Sequence, residues 1–148
     1  MEKTNAYVPQ HTSTGDSAVS GLFGGLQGGA AMAVVIVIFS LLAGKGLDYL
    51  GYFSSGAPIQ PILGLLGHLA VSSIYGMLYG LVHHWIGLDR LVQLPGWLAG
   101  LIYALGLWVL AILVILPAAQ SAFLTVSWVV FFTGHLAYGL VLGLRFKP

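Results

Sequence analysis

The sequence predicts an all-α integral membrane protein with four transmembrane helices, built as two tandem helix pairs with N- and C-termini cytoplasmic. Three observations predict it. Charged residues make up 6% of the chain and hydrophobic ones 58%, with a mean hydropathy of +0.95; a soluble domain carries roughly a quarter charged residues, enough to clothe a water-facing surface. Four apolar stretches follow one another, and every Asp, Glu, Lys and Arg falls outside them. The tetrapeptide Gly-His-Leu-Ala occurs twice, at 67–70 and 134–137, inside the second and the fourth stretch.

In chain order, residues 1–20 are polar and without apolar periodicity, which reads as a disordered cytoplasmic tail. A signal peptide fits poorly, because the segment before the apolar run is long and includes Glu2 and Asp16. The first span is expected over about 22–44, the length needed to cross the hydrocarbon. Its first half carries glycines four apart (Gly21, Gly25, Gly29 and Gly24, Gly28), which let a second helix come close. Gln27 is its one strongly polar side chain and is expected to face the bundle. Residues 45–57 form an outer loop whose Tyr49, Tyr52 and Phe53 suit the interfacial aromatic belt.

Span 2 is expected over about 61–82, started by Pro58 and Pro61, since proline in a first helical turn costs little. His83, His84 and Trp85 close it at the interface, the two histidines pointing to different faces. Asp89 and Arg90 lie in the next loop. Span 3 is expected over about 96–116, ending at Pro117, which is costly inside a helix. A short turn leads to span 4, about 122–144. Lys3, Arg90, Arg145 and Lys147 fall on one side of these spans and Lys45 alone on the other. The positive-inside rule then sets the orientation. Residues 21–44 also lie over 96–119, small residues over small and bulky over bulky, an internal repeat of two parallel halves.

The chemistry-bearing residues are few. His68, Ser72, Tyr75 and Tyr79 fall on one helical face of span 2; Trp128, Phe131, His135, Tyr138 and Leu142 do the same in span 4. Polar atoms are costly against lipid, so both stripes are expected inside the bundle. Beside them lie the small-xxx-small pairs Gly76/Gly80 and Gly139/Gly143, which with Gly25 and Gly29 are the expected helix-packing positions. Two uses of the stripes compete. In one, His68 and His135 are interhelical hydrogen-bonders, each bond being worth about 0.6–2 kcal/mol. In the other they are the axial ligands of a b-type haem in a small electron-transfer subunit. On the expected boundaries His68 lies about seven and His135 about thirteen residues into its span, a height difference of about 9 Å at 1.5 Å per residue, which speaks against a shared iron.

Other classes are disfavoured. A net charge of +1 offers no basic face to nucleic acid. A chain without cysteine has no disulfide, thiolate metal site or Cys nucleophile. No Ser/His/acid set, HExxH or P-loop can be assembled, so no enzyme and no metal site are expected. A proton or ion pathway lacks the buried acids and bases such pathways use.

The segments Gly106-Leu107-Trp108-Val109, Leu116-Pro117-Ala118 and Gly134-His135-Leu136-Ala137-Tyr138-Gly139, with Leu142-Gly143, resemble uncharacterised small four-helix bacterial inner-membrane proteins, the YagU-like and related families. These show a His-Leu-x-Tyr-Gly motif in helices two and four, and Trp followed by Leu-Pro in helix three. In the second helix here, Tyr75-Gly76 arrives about one turn late after His68-Leu69. The resemblance covers about residues 60–143 and implies an inner-membrane protein of this topology; it brings no activity. The expectation is therefore a non-catalytic accessory or assembly component of the bacterial cytoplasmic membrane. It would contact lipid and associate with itself or a larger complex through its Gly-rich faces, without a cofactor, haem b being the alternative.

Overall fold

The computed structural model describes residues 13–52, 60–86 and 94–147. Within them the chain is all-α, and four of its helices are long and apolar enough to cross a membrane: Thr14–Leu42, Pro61–Ile86, Gly96–Ala118 and Trp128–Arg145. We label the helices α1 (Thr14–Leu42), α2 (the single turn Asp48–Gly51), α3 (Gln60–Ile86), α4 (Gly96–Ala118) and α5 (Trp128–Arg145). The expected tail residues 1–12, His11 among them, the loop residues Phe53 and Pro58, and Asp89 and Arg90 lie outside the described residues.

α1 starts earlier than its apolar run. Ser13 caps it with a reciprocal box: the Asp16 amide donates to Ser13 Oγ at 3.1 Å and the Ser13 amide to Asp16 Oδ2 at 3.0 Å. Residues 14–20, expected in a disordered tail, are therefore helical, because two otherwise orphaned amides find partners there. At the far end Gly44 adopts φ +68, with the Lys45 amide donating to the Ser40 carbonyl at 2.9 Å and the Gly44 amide to the Leu41 carbonyl at 3.0 Å. This six-to-one closure needs a left-handed residue, which glycine supplies without strain.

α1 is the central helix and packs along both α3 and α5. Its contact with α3 is backbone on backbone. A methyl group at Gly25 would come within 2.7 Å of the Gly76 Cα, and one at Gly21 or Gly80 would run into the carbonyl of Gly76 or Ser17. A methyl at Gly28 would lie 2.8 Å from the Tyr138 carbonyl on α5. α4 meets α5 in the same manner, Gly100 against Gly143 and Gly139 against the Ala104 methyl. Lipid tails are as apolar as leucine, so only close dispersion contact and hydrogen bonds hold such helices together.

α3 makes little close backbone contact with α4 or with α5. Around α1 the chain thus encloses space instead of filling it.

Two further boundaries that shape the site differ from the sequence reading. α4 continues through Pro117 to Ala118, because Ala111–Ile115 widen into a π-helical turn in which the Leu116 amide reaches back to the Ala111 carbonyl. The wide turn absorbs the misfit that proline imposes on the preceding turn. α5 begins at Trp128, not Ala122. Ala122–Thr125 form a 3-10 turn capped by Ser121, and Val126 is extended (φ −82, ψ 145) before Ser127 starts the helix. Hydropathy alone could not separate this apolar turn from the helix that follows.

Two orientations also differ. Gln27 is exposed: Gly24, Gly25, Gly28 and Gly29 claim the buried face of α1, and Gln27 lies on the opposite one. Trp128 is 64% exposed, outside the buried stripe of α5, and leans on Phe132 with ring centroids 6.1 Å apart. It stands in the first turn, where no neighbouring helix covers it.

Replacing Gly76 or Gly100 by leucine is expected to cost about 3 kcal/mol of stability or to prevent folding, since backbone occupies the space. Gly106 faces open space, so Gly106→Ala is expected to raise stability by up to about 1 kcal/mol. Thermal unfolding of the detergent-solubilised protein measures both.

Candidate functional site

A cavity of about 730 Å³ lies between α3 on one side and α4 and α5 on the other, with Met32 of α1 at its back. It occupies the half of the bundle that holds the α1–α3 connection and the turn after α4. Gly51 and Tyr52 of the connection and Gln120 to Phe123 of the turn line that end. The turn is held by Gln120 at φ +47, with the Ser121 amide donating to the Leu116 carbonyl at 3.0 Å. Phe123 is buried there, its ring 5.7 Å from those of Tyr52 and Phe131. The π-helical turn of α4 supplies Ala111 and Ile115 to the wall.

The polar stripes meet in this cavity. His68, Ser72 and Tyr75 of α3 and His135 and Tyr138 of α5 all line it. His68, Ser72, His135 and Tyr138 are buried and Tyr75 is half-buried. The corrected start of α5 explains the meeting. His68 lies seven residues after Pro61 and His135 seven after Trp128, so the height mismatch expected from the longer span 4 disappears.

Backbone carbonyls hold these side chains. His68 Nε2 donates to the Gly29 carbonyl of α1 at 3.0 Å, and His135 Nδ1 to the Phe131 carbonyl one turn back at 2.8 Å. A carbonyl only accepts, so each of these ring nitrogens carries a hydrogen. The Tyr138 hydroxyl donates to the Ser72 carbonyl at 3.0 Å across the gap between α5 and α3. The Tyr103 hydroxyl donates to the Tyr75 carbonyl at 2.7 Å and joins α4 to α3. The two tyrosine bonds bridge pairs of helices with little close backbone contact.

Tyr79 is buried but stands apart from the cavity. Its ring lies 5.1 Å from those of Tyr103 and Phe146, and His83 stacks on the same cluster, 4.9 Å from Phe146. This aromatic cluster closes the opposite end of the cleft between α3 and α4. His84, on another face, lies 3.0 Å from the Thr14 hydroxyl. The packing glycines have their own places: Gly25 and Gly29 lie against Gly76 and Ser72, Gly80 against Ser17, and Gly139 and Gly143 against Gly100 and Gly96.

Tyr103, Met32 and Phe123 were not singled out from the sequence. Nothing in a lone Tyr or Met within an apolar run marks it. The spacing of Gly96 and Gly100, four residues apart, was a visible sign of the α4 contact.

No group of three or more His, Cys, Asp or Glu able to hold a metal ion occurs among the described residues. Nor does any described Asp, Glu, Lys or Arg line the cavity. The site can therefore accept and donate hydrogen bonds to a neutral guest, but it offers no counter-charge.

The family follows from a match that spans nearly the whole chain. The chain belongs to the family of unknown function DUF6789, whose model matches residues 15–148. No curated protein and no solved structure matches it. The matched DUF6789 region takes in every residue of the cavity.

Removing either bridging hydroxyl, in Tyr103→Phe or Tyr138→Phe, is expected to lower stability by about 0.6–1.7 kcal/mol, the range of hydrogen bonds between membrane helices. A fall in thermal midpoint without loss of the folded protein would show it.

Proposed function

We propose that this chain is a non-catalytic, multi-pass accessory protein of the bacterial cytoplasmic membrane that holds a small lipophilic molecule between its helices. One observation carries the reading: within the membrane spans, an otherwise apolar cavity of about 730 Å³ gathers His68, Ser72, Tyr75, His135 and Tyr138. Binding cavities for small molecules typically run to about 300–1,000 Å³, mostly apolar with a few placed polar groups. Arg145 and Lys147 at one end, against Lys45 alone at the other, support cytoplasmic termini.

The accessory role changes in one respect from the sequence expectation. The Gly-rich faces are occupied within the chain. A second copy or a larger complex would meet the outer face of α1, where Phe23, Gln27 and Val34 are exposed.

A b-type haem is the second reading, supported by the two histidines lining one cavity. It asks for a rearrangement, since His68 Nε2 is engaged by the Gly29 carbonyl. Haem ligation would need His68 to leave that carbonyl or to use its other nitrogen.

A reduced-minus-oxidised visible spectrum, with native mass spectrometry of the same purified protein, separates the readings. The expected result is a flat spectrum and a bound lipophile. A sharp α-band with one haem per chain would establish the second reading instead. A flat spectrum with an empty protein would count against both.

A further inference from the structure

We propose that the cavity takes a neutral lipophile whose head is a hydroxyl group, received by His135 Nε2. The inference rests on reading the cavity as a binding site, and adds the chemistry of the head.

The argument starts from the Phe131 carbonyl. It accepts a hydrogen bond from His135 Nδ1 at 2.8 Å, which places the hydrogen on that nitrogen. Among the described residues no carboxylate lines the cavity to balance a second proton, and an uncompensated charge inside a membrane is costly. The imidazole is therefore neutral and Nε2 carries a bare lone pair. No described residue hydrogen-bonds to Nε2.

Nε2 opens on the cavity, where an acceptor among apolar groups without a donor is costly, and the complementary guest is one that brings an O–H. Tyr75, on the wall formed by α3, adds a hydroxyl that no described residue engages and that can give or receive. Val71, Leu107, Ile115 and Leu116 complete an apolar wall that suits a ring or an alkyl chain. The absence of charged lining residues excludes neither size nor shape, but it favours a neutral head over a phosphate, carboxylate or ammonium.

The same geometry discriminates between redox forms of one molecule. A hydroquinone donates to Nε2. The matching quinone presents a carbonyl, and acceptor then meets acceptor. The inference concerns binding alone.

The test uses the full chain in detergent and three probes under reducing or oxidising buffer as each requires: decyl hydroquinone, decyl benzoquinone and 1-dodecanol. Apparent dissociation constants come from titrating the thermal midpoint. The hydroquinone is expected to bind at least about tenfold more tightly than the quinone. His135→Phe is expected to abolish that ratio. Tyr75→Phe, which leaves the imidazole in place, is expected to weaken binding several-fold and keep the preference, so the test stands even where His135→Phe fails to fold.

Dodecanol binding as tightly as the hydroquinone would support the inference and identify the guest as a lipid alcohol. Weaker dodecanol binding, with the hydroquinone preference intact, would support a phenolic lipid. Equal or tighter binding of the quinone would overturn the hydroxyl-head inference and leave the cavity reading standing. No stabilisation by any of the three would overturn both.

Discussion

The structure depends on how closely α1 approaches its two neighbours. Where Gly25 meets Gly76 and Gly28 meets Tyr138, backbone lies against backbone with no room for a methyl group. Inside a bilayer no hydrophobic force draws helices together, so many short dispersion contacts must do it. Pinning α3 and α5 to neighbouring faces of α1, Gly21, Gly25 and Gly29 against α3 and Gly24 and Gly28 against α5, has a geometric result. α3 makes little close backbone contact with α5, or with α4, which Gly100 and Gly143 hold to α5, and the Tyr138 and Tyr103 hydroxyls span those gaps. The cavity is what that arrangement leaves open.

Four polar side chains of the interior share one solution. His68, Tyr103, His135 and Tyr138 each donate to a backbone carbonyl: Gly29, Tyr75, Phe131 and Ser72 respectively. A helical carbonyl has a second lone pair to spare, so these bonds cost the helices none of their own. Three of the four join different helices. The fourth, within α5, leaves His135 with an acceptor nitrogen and nothing from the described chain to fill it. Structural bonding thereby fixes what kind of atom the cavity offers a guest.

Much of this was legible in the sequence. Length and hydropathy report the cost of exposing backbone and charge to lipid, and they located the four helices. Helical periodicity put His68, Ser72, Tyr75 and Tyr138 on inward faces. What it could not assign was which of two faces wins where the pattern conflicts. Gln27 was expected inside because it is polar, but the glycines around it offer closer backbone contact, and they took the interior. The start of α5 was hidden because Ala122–Thr125 are as apolar as the helix, and only a cap at Ser121 and an extended Val126 break it. That error of six residues generated the apparent mismatch in histidine height. Likewise, Pro117 marks a helix end from sequence, yet a π-turn lets the helix pass.

The most direct test of the arrangement is intramolecular cross-linking, which a chain without cysteine permits cleanly. Cysteines would be placed at Gly67 on α3 and Ala111 on α4, both on the cavity wall, and treated with a short bis-maleimide. A control pair would join Gly67→Cys with Val34→Cys on the outer face of α1. The expected result is efficient linkage within one chain for the cavity pair and little for the control. Labelling of both cavity cysteines by a monofunctional maleimide, with no link between them, would contradict a shared cavity and the helix arrangement that produces it.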